Sequence, residues 1–150
     1  MRIAFALFKY FPYGGLQSDM LRIAQAAANR GHQVVIYTSQ WQGESPTNRN
    51  LQVKILPLKS WTNWGRAAEF EELFQYAIEA EPFDLKIVFN RMGGGDFYFA
   101  ADNCLQAELP KSHSRLTLRL HPRYRTYLSQ EARIFAQGGQ TRILYITGRQ

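Results

Sequence analysis

The feature that most constrains the fold is the alternation of short apolar runs with longer segments of helical periodicity. Residues 3–8 are almost entirely apolar, which is typical of a strand buried on both faces. Residues 16–30 place apolar side chains at helical spacing, and Gly31 follows as a C-terminal stop. Strands that alternate with helices predict βαβ units, and therefore a parallel sheet with helices on both faces.

The same alternation continues along the rest of the chain. Further strands are predicted where β-branched and aromatic residues cluster, and further helices where apolar residues recur every three or four positions. We therefore predict one Rossmann-like α/β domain over residues 1–150, with a mostly parallel sheet. The further strands are residues 34–38, 51–56, 85–89, 97–101 and 142–147, and the further helices are residues 66–79 and 124–137.

Residues 110–122 show two conflicting periods. Leucines alternate with polar residues over 116–120, as in a strand, whereas arginines recur at every fourth position over 115–123, as in a helix. Pro122 is expected to break either element. We expect this segment to be mobile or partly ordered until it settles on a membrane or a partner domain.

Most of the net positive charge lies in one segment. The chain carries +6, and residues 111–133 contribute +5 of it, with leucines and tyrosines interleaved among the arginines. This composition is typical of a surface that meets anionic lipid. An ordinary solvated helix face is an alternative, and nucleic acid is disfavoured because no binding module is evident. The candidate contact residues of this surface are Arg115, Arg119, Arg123, Arg125, Tyr124 and Tyr127.

Several classes of protein are disfavoured by what the sequence lacks. No apolar run approaches 20 residues, and the first one is too short for a signal peptide, so neither a span nor a leader is predicted. The single cysteine, Cys104, excludes an internal disulfide framework and favours a cytosolic setting. The three histidines lack metal-ligand spacing, so no metal site is predicted.

The turn after the first strand carries two adjacent glycines, Gly14 and Gly15. Ligands of parallel sheets bind beyond the carboxyl ends of the strands, where the first N–H groups of a helix favour an anion. The glycines therefore either face a phosphate or merely permit a tight bend. A dinucleotide is disfavoured because the G-x-G-x-x-G spacing and an acidic end to the second strand are missing. P-loop and G-x-S-x-G motifs are also absent.

Four stretches of the chain together carry a family resemblance: "FALFKYFPYGGLQSDMLRIAQAAANRGHQVVIYT", "KSWTNWGRAAEF", "FNRMGGGDFYFAAD" and "RYRTYLSQEARIFAQG". They resemble the N-terminal domain of bacterial retaining glycosyltransferases with the two-domain GT-B fold. Within that family the sequence is most similar to the lipopolysaccharide core glucosyltransferases. The resemblance runs in order over essentially the whole chain.

The resemblance implies an acceptor-side domain at the cytoplasmic face of the inner membrane. Gly14 and Gly15 would face the diphosphate of a nucleotide-sugar donor, UDP-glucose, and the acceptor would be the inner-core heptose of lipopolysaccharide. Asp102 would orient or polarise the acceptor hydroxyl, although a helix N-cap is an alternative role for it. Lys9 and Arg91 would meet acceptor phosphates or simply be solvated. The arginines and tyrosines of the basic segment would contact the acceptor, the membrane or both.

The C-terminal domain of the GT-B fold has no counterpart in these 150 residues. In that family it supplies most nucleotide contacts, the positive charge that stabilises the leaving diphosphate, and an E-x7-E pair. Glu71 and Glu79 have this spacing, but we interpret them as part of a solvated helix face. We expect the chain alone to be inactive. The alternative function is a membrane- or glycan-binding module without catalysis.

Two further features near strand ends are open to two interpretations each. Trp61 and Trp64 precede a predicted helix, and they either stack on a sugar ring or, as we favour, plug a gap between loop and sheet. The triple glycine at residues 93–95 is expected to permit a tight turn, with phosphate contact as the less favoured role.

Overall fold

Six parallel strands form one sheet within the part of the chain that a computed structural model describes, which is residues 1–101, 114–135 and 141–145. The strands are β1 (Arg2–Ala6), β2 (Gln33–Thr38), β3 (Leu51–Ile55), β4 (Leu85–Val88), β5 (Phe97–Ala100) and β6 (Arg142–Tyr145). The helices are α1 (Gly15–Asn29), α2 (Asn63–Ala80), α3 (Arg115–Leu120) and α4 (Pro122–Phe135). The predicted alternation of strands and helices is therefore confirmed.

The strand order is β3-β2-β1-β4-β5-β6, and each neighbouring pair is parallel. In the central strand, Phe5 is in register with Ile36 of β2 on one side and with Ile87 of β4 on the other. This is the strand order of a Rossmann sheet. Successive strands are added towards one edge of the sheet in the first half of the chain and towards the opposite edge in the second half. Here the reversal lies between β1 and β4, so ligands are expected beyond the carboxyl ends of those two strands.

Helices cover both faces of the sheet, as predicted. On one face, Met20, Ala24 and Ala28 of α1 are buried against alternate residues of β1, β2 and β4. On the other face, α2 and α4 pack against the intervening strand residues, with Phe74 and Ile134 in that second core. Strands buried on both faces explain why the central runs are continuously apolar rather than alternating.

The helix α2 begins three residues earlier than its periodicity indicated. Thr62 precedes it in an extended conformation, and its side-chain oxygen accepts the N–H of Gly65 at 3.1 Å. A threonine in this position satisfies one of the N–H groups that the first turn leaves unpaired, and so fixes the start of the helix. Gly65 therefore lies inside the helix rather than before it.

The arginine- and leucine-rich segment forms a helix, so the strand alternative for residues 116–120 is wrong. Ser114 caps α3 by accepting the N–H of Thr117 at 3.2 Å. Pro122 separates α3 from α4 as expected, and it is the first residue of α4. Proline is tolerated there because the N–H of the first helical residue has no acceptor within the helix. The expectations for residues 110–113 and 136–137 lie outside the described residues.

Candidate functional site

The chain segments that leave β1 and β4 are joined by a side chain at the point where the sheet order reverses. Asn90 lies two residues after the end of β4, and its Oδ1 atom accepts the backbone N–H of Phe8 at 2.6 Å. The carbonyl of Phe8 in turn accepts the backbone N–H of Ser39, beyond the end of β2, at 3.0 Å. Three strand ends are therefore held in one fixed rim at the position expected for a ligand.

A cavity of about 310 Å³ lies beside this rim, between the sheet and the two helices α2 and α4. Its volume is at the lower end of the range of small-molecule sites. The apolar part of its wall consists of Phe8, Ala67, Phe70 and Met92. The polar part consists of Asn63, Asn90, Arg91, Tyr127 and Gln130. Two of the residues predicted to contact the acceptor, Arg91 and Tyr127, are thus brought to one cavity.

The one cationic side chain among these lining residues faces a buried carboxylate. The Nε atom of Arg91 lies 3.9 Å from an oxygen of Glu131, a residue of α4 that is only 1% exposed. A buried carboxylate needs a nearby positive charge, because removing it from water is otherwise costly. The charge of Arg91 is therefore balanced by Glu131 within the protein. An acceptor phosphate that contacted Arg91, as predicted, would have to compete with this carboxylate.

The interpretation of Glu71 as a solvated residue is wrong. Glu71 is 4% exposed, and its carboxylate accepts hydrogen bonds from Gln130 Nε2 at 2.8 Å, Arg133 Nη1 at 2.8 Å and the backbone N–H of Gly93 at 2.9 Å. Only Glu79 of the pair is exposed. The carboxylate joins α2, α4 and the loop after β4, so its role is to hold the cavity wall together.

The triple-glycine loop is a tight turn, as the favoured interpretation stated. Gly94 has φ of +88°, a conformation that favours glycine, and a Cβ atom there would lie 1.7 Å from the Gln75 amide. A Cβ atom on Gly93 would lie 2.9 Å from the Glu71 carboxylate. Because the N–H of Gly93 is already bonded to that carboxylate, this group is not offered to a phosphate.

The Gly14–Gly15 turn is open at one glycine and covered at the other. Gly14 precedes α1 in an extended conformation, and the Gln17 side chain occupies the space that a Cβ atom on Gly14 would need. Gly15 begins α1, is exposed, and has no atom within 4 Å of its Cβ position. The first turn of α1 is therefore accessible at Gly15, on a part of the rim that does not line the cavity.

The loops at the same end of the sheet carry aromatic residues. Tyr10 and Trp41 stack with ring centroids 3.8 Å apart and tie together the loops that follow β1 and β2. Trp61 is fully exposed, so the favoured gap-filling role is wrong for it, whereas Trp64 is half-buried with its ring edge-on to His121. Contact of either tryptophan with a sugar stays a prediction.

The loop that carries Trp61 is held by a carboxylate of α2. Glu69 accepts the backbone N–H of Lys59 at 2.9 Å and that of Ser60 at 2.8 Å. These backbone hydrogen bonds lower the pKa of Glu69 below its ordinary value, because they favour the ionised carboxylate. The loop therefore presents Trp61 from a fixed position next to the start of α2.

The remaining predicted contact residues are distributed over separate parts of the surface. Arg123 and Arg125 are exposed in the first turn of α4, and the Tyr124 ring lies 5.3 Å from that of His121. Lys9 is half-buried with its ammonium 5.7 Å from the Phe8 ring, and it does not line the cavity. Arg115 and Arg119 lie on α3, but their side chains and the whole of Asp102 lie outside the described residues.

Neither a spanning helix nor a metal cluster occurs in the described ranges. No helix among residues 1–101, 114–135 and 141–145 is long and apolar enough to cross a bilayer. In the same ranges, no three His, Cys, Asp or Glu side chains are grouped closely enough to hold a metal ion.

Three amide residues of the cavity were not singled out from the sequence: Asn63, Asn90 and Gln130. Asn90 carried a usable signal, since it is the polar residue that directly follows a buried strand in "IVFN". Asn63 and Gln130 carried none, because a polar residue on a helix is normally solvated. Only the packing of α4 against α2 turns Gln130 towards the cavity, where it is 3% exposed.

Comparison with known proteins identifies the same likeness that the sequence motifs suggested. No protein-family model matches the chain. The chain is 43% identical over all its 150 residues to "Lipopolysaccharide glucosyltransferase WaaG" from Escherichia coli (strain K12), and it spans 39% of that protein's length. A crystal structure of WaaG, described as a glycosyltransferase involved in lipopolysaccharide biosynthesis, matches with a TM-score of 0.89 and 40% identity, over 97% of this chain and 39% of that one. The predicted resemblance and the Rossmann-like fold of an N-terminal GT-B half are confirmed.

Proposed function

We propose that this chain forms the N-terminal, acceptor-side half of a glucosyltransferase of lipopolysaccharide core assembly. The observation that carries the proposal is the 43% identity to WaaG over all 150 residues. The position of the cavity supports it, because a site beyond the ends of β1 and β4 is where a Rossmann sheet binds ligands. The likeness over the full chain favours this function over a stand-alone binding module.

The reaction we propose transfers glucose from UDP-glucose to the inner-core heptose, with retention at the anomeric carbon. The bond from that carbon to the diphosphate breaks, a bond to an acceptor hydroxyl oxygen forms, and the hydroxyl proton passes to the leaving diphosphate. The open backbone at Gly15 lets the donor diphosphate approach the electropositive start of α1. Asp102 is assigned the orientation of the acceptor hydroxyl.

A partner domain completes the cleft in this proposal. Negative charge develops on the leaving diphosphate, and its stabilisation needs fixed positive groups on both sides. The described residues supply the backbone of one helix start, while the cationic side chain in the cavity is already paired with Glu131. We therefore expect the 150-residue chain alone to bind acceptor but not to transfer glucose.

A peripheral contact with the cytoplasmic face of the inner membrane is part of the proposal. Arg123 and Arg125 are exposed in the first turn of α4, and that turn contains no acidic residue. Cations at a helix start oppose the helix dipole, so helix stability does not explain them. Leu120, at the end of α3 and three positions before Arg123 in the chain, is 68% exposed. Together they form a cationic surface with an apolar residue, which suits anionic lipid.

A chimera tests the enzymatic proposal. The matching N-terminal segment of the Escherichia coli relative is replaced by this chain, and glucose transfer from UDP-glucose to heptose-terminated lipopolysaccharide is measured. We expect the chimera to be active and the chain alone to be inactive. Asp102→Asn in the chimera is expected to lower kcat by about 100-fold or more. A folded but inactive chimera, or transfer by the 150-residue chain alone, would contradict the proposal.

A further inference from the structure

We propose that the cavity between β1, β4, α2 and α4 is a subsite for an uncharged, hydroxyl-bearing ring, and that it excludes phosphate groups. The inference rests on the proposed function and assigns the cavity to a sugar ring of the acceptor. It replaces the expectation that Arg91 meets an acceptor phosphate.

The size of the cavity suits one ring. Its volume of about 310 Å³ is near the lower limit of small-molecule sites, which is enough for a single pyranose ring. One side of it is aromatic and apolar, with Phe8 and Phe70 meeting edge to face at 5.5 Å. Such a surface suits the C–H face of a sugar ring, since it removes apolar area from water.

The other side of the cavity offers neutral hydrogen-bonding groups. Asn90 uses its oxygen on the Phe8 N–H, and Gln130 uses its amide nitrogen on Ala67 and Glu71. Within the described ranges, the Asn90 amide nitrogen and the Tyr127 hydroxyl make no hydrogen bond to the protein. An amide N–H₂ and a phenol can both donate, and the phenol can also accept, which matches hydroxyl groups that do both.

The charge balance of the cavity disfavours an anion. Arg91 is paired with Glu131, and Glu71 accepts from Arg133 and Gln130, so both buried carboxylates already have donors. A phosphate in the cavity would compete with Glu131 for Arg91 and would lie close to a buried negative charge. Binding a phosphate would therefore remove its negative charge from water without offering it a positive group that is not already paired. A neutral ring meets no such penalty.

The test uses the 150-residue chain, backbone NMR, and two probes: a neutral methyl glycoside of heptose and its monophosphate. We expect the neutral probe to shift amide signals around Asn90 and Tyr127. Tyr127→Phe should weaken its binding about three- to tenfold, which is the effect of one lost hydrogen bond. Tyr76→Phe, an exposed tyrosine on the outer side of α2, is the matched control and should change nothing.

A double variant separates a neutral subsite from a phosphate site. Arg91→Gln combined with Glu131→Gln removes both charges of the pair, so no buried charge is left alone. We expect the neutral probe to remain the tighter-binding of the two probes in this variant. A monophosphate that binds more than tenfold tighter, with an advantage that this double variant abolishes, would overturn the inference.

The positions of the shifted amide signals also distinguish a wrong assignment of the subsite from a wrong proposed function. Shifts confined to the Gly14–Gly15 turn would reject the cavity as the subsite while leaving an acceptor-side domain in place. No shift with either probe anywhere in the spectrum would reject the subsite and weaken the proposed function as well.

Discussion

Asn90 and Phe8 are 82 positions apart in the chain, yet the Asn90 Oδ1 atom accepts the Phe8 backbone N–H at 2.6 Å. This bond spans the point at which the sheet order reverses, and it joins the exits of β1 and β4. The same two residues line the candidate site. The rim of the cavity therefore includes a side-chain hydrogen bond between residues that are far apart in the chain.

Removal of that bond should destabilise the protein. Asn90→Ala leaves the partly buried Phe8 N–H without an acceptor, so the free energy of unfolding should fall by about 1–3 kcal/mol. Asn90→Asp keeps the acceptor oxygen and should cost less. Urea denaturation measures both, with Gln25→Ala on the exposed side of α1 as the control. Equal stability of Asn90→Ala and wild type would show that the bond does not hold the rim.

Glu71 should matter far more to stability than its neighbour Glu72. Glu71→Gln weakens three hydrogen bonds to a buried carboxylate, and we expect a loss of about 2 kcal/mol, discounted because Arg133 is itself largely exposed. Glu72→Gln changes an exposed residue of the same helix and should stay within about 0.5 kcal/mol. Thermal or urea unfolding would contradict this description if the two variants behaved alike.

The glycines at the two turns should respond oppositely to alanine. Gly94→Ala forces a side chain into φ of +88° and against Gln75, and should cost at least about 1–2 kcal/mol. Gly15→Ala meets open space at the start of α1, and should raise stability by about 0.4–1 kcal/mol.

Gly15→Ala also separates stability from function. In the chimera it should lower glucose transfer, because the added methyl group keeps the donor diphosphate from the helix start. An active, stabilised Gly15→Ala chimera would show that the diphosphate does not approach this backbone.

Acid should weaken the fold through two carboxylates. Glu69 accepts backbone N–H groups, and Glu81 accepts from Lys54 and pairs with Arg2, so the pKa of each carboxyl lies below the ordinary value of 4.5. Since the folded pKa is the lower one, the stabilisation is present above pH 4.5 and is lost as the pH falls through the folded pKa.

The acid dependence is measured by urea denaturation between pH 7 and pH 3. In a Glu69→Gln/Glu81→Gln variant, the decline of the unfolding free energy with falling pH should be shallower than in wild type. Glu44→Gln, at an exposed loop position, should leave the slope unchanged. An unaltered slope in the double variant would assign the acid sensitivity to other groups.

Arg123 and Arg125 should dominate binding to anionic vesicles among the described surface arginines. Replacing both by glutamine removes roughly 2 kcal/mol of membrane attraction, which is about thirtyfold in affinity. The same double change at two other exposed arginines, Arg22 on α1 and Arg30 directly after it, alters the net charge equally and should have little effect. Co-sedimentation with phosphatidylglycerol vesicles measures this, and equal losses for both pairs would indicate attraction by net charge alone.

The sequence by itself determined the architecture. Its alternating apolar runs and helical periods predicted the order of all the strands and helices of the described residues except α3. Gly31, whose φ is +85°, marked the end of α1. These features are local: a buried parallel strand must be apolar throughout, and a helix that covers a sheet must repeat its apolar residues every three or four positions. Such requirements can be read without knowing which elements are neighbours.

Only the tertiary structure decided how the cavity is built. Glu71 lies 59 positions from Gln130 and 62 from Arg133, and its helical spacing with Glu79 indicated a solvated face. The packing of α4 on α2 buried it instead and paired it with distant donors. Periodicity shows which side of an element faces inward, but it does not show which polar side chains meet there, because those partners are brought together by the order of the strands.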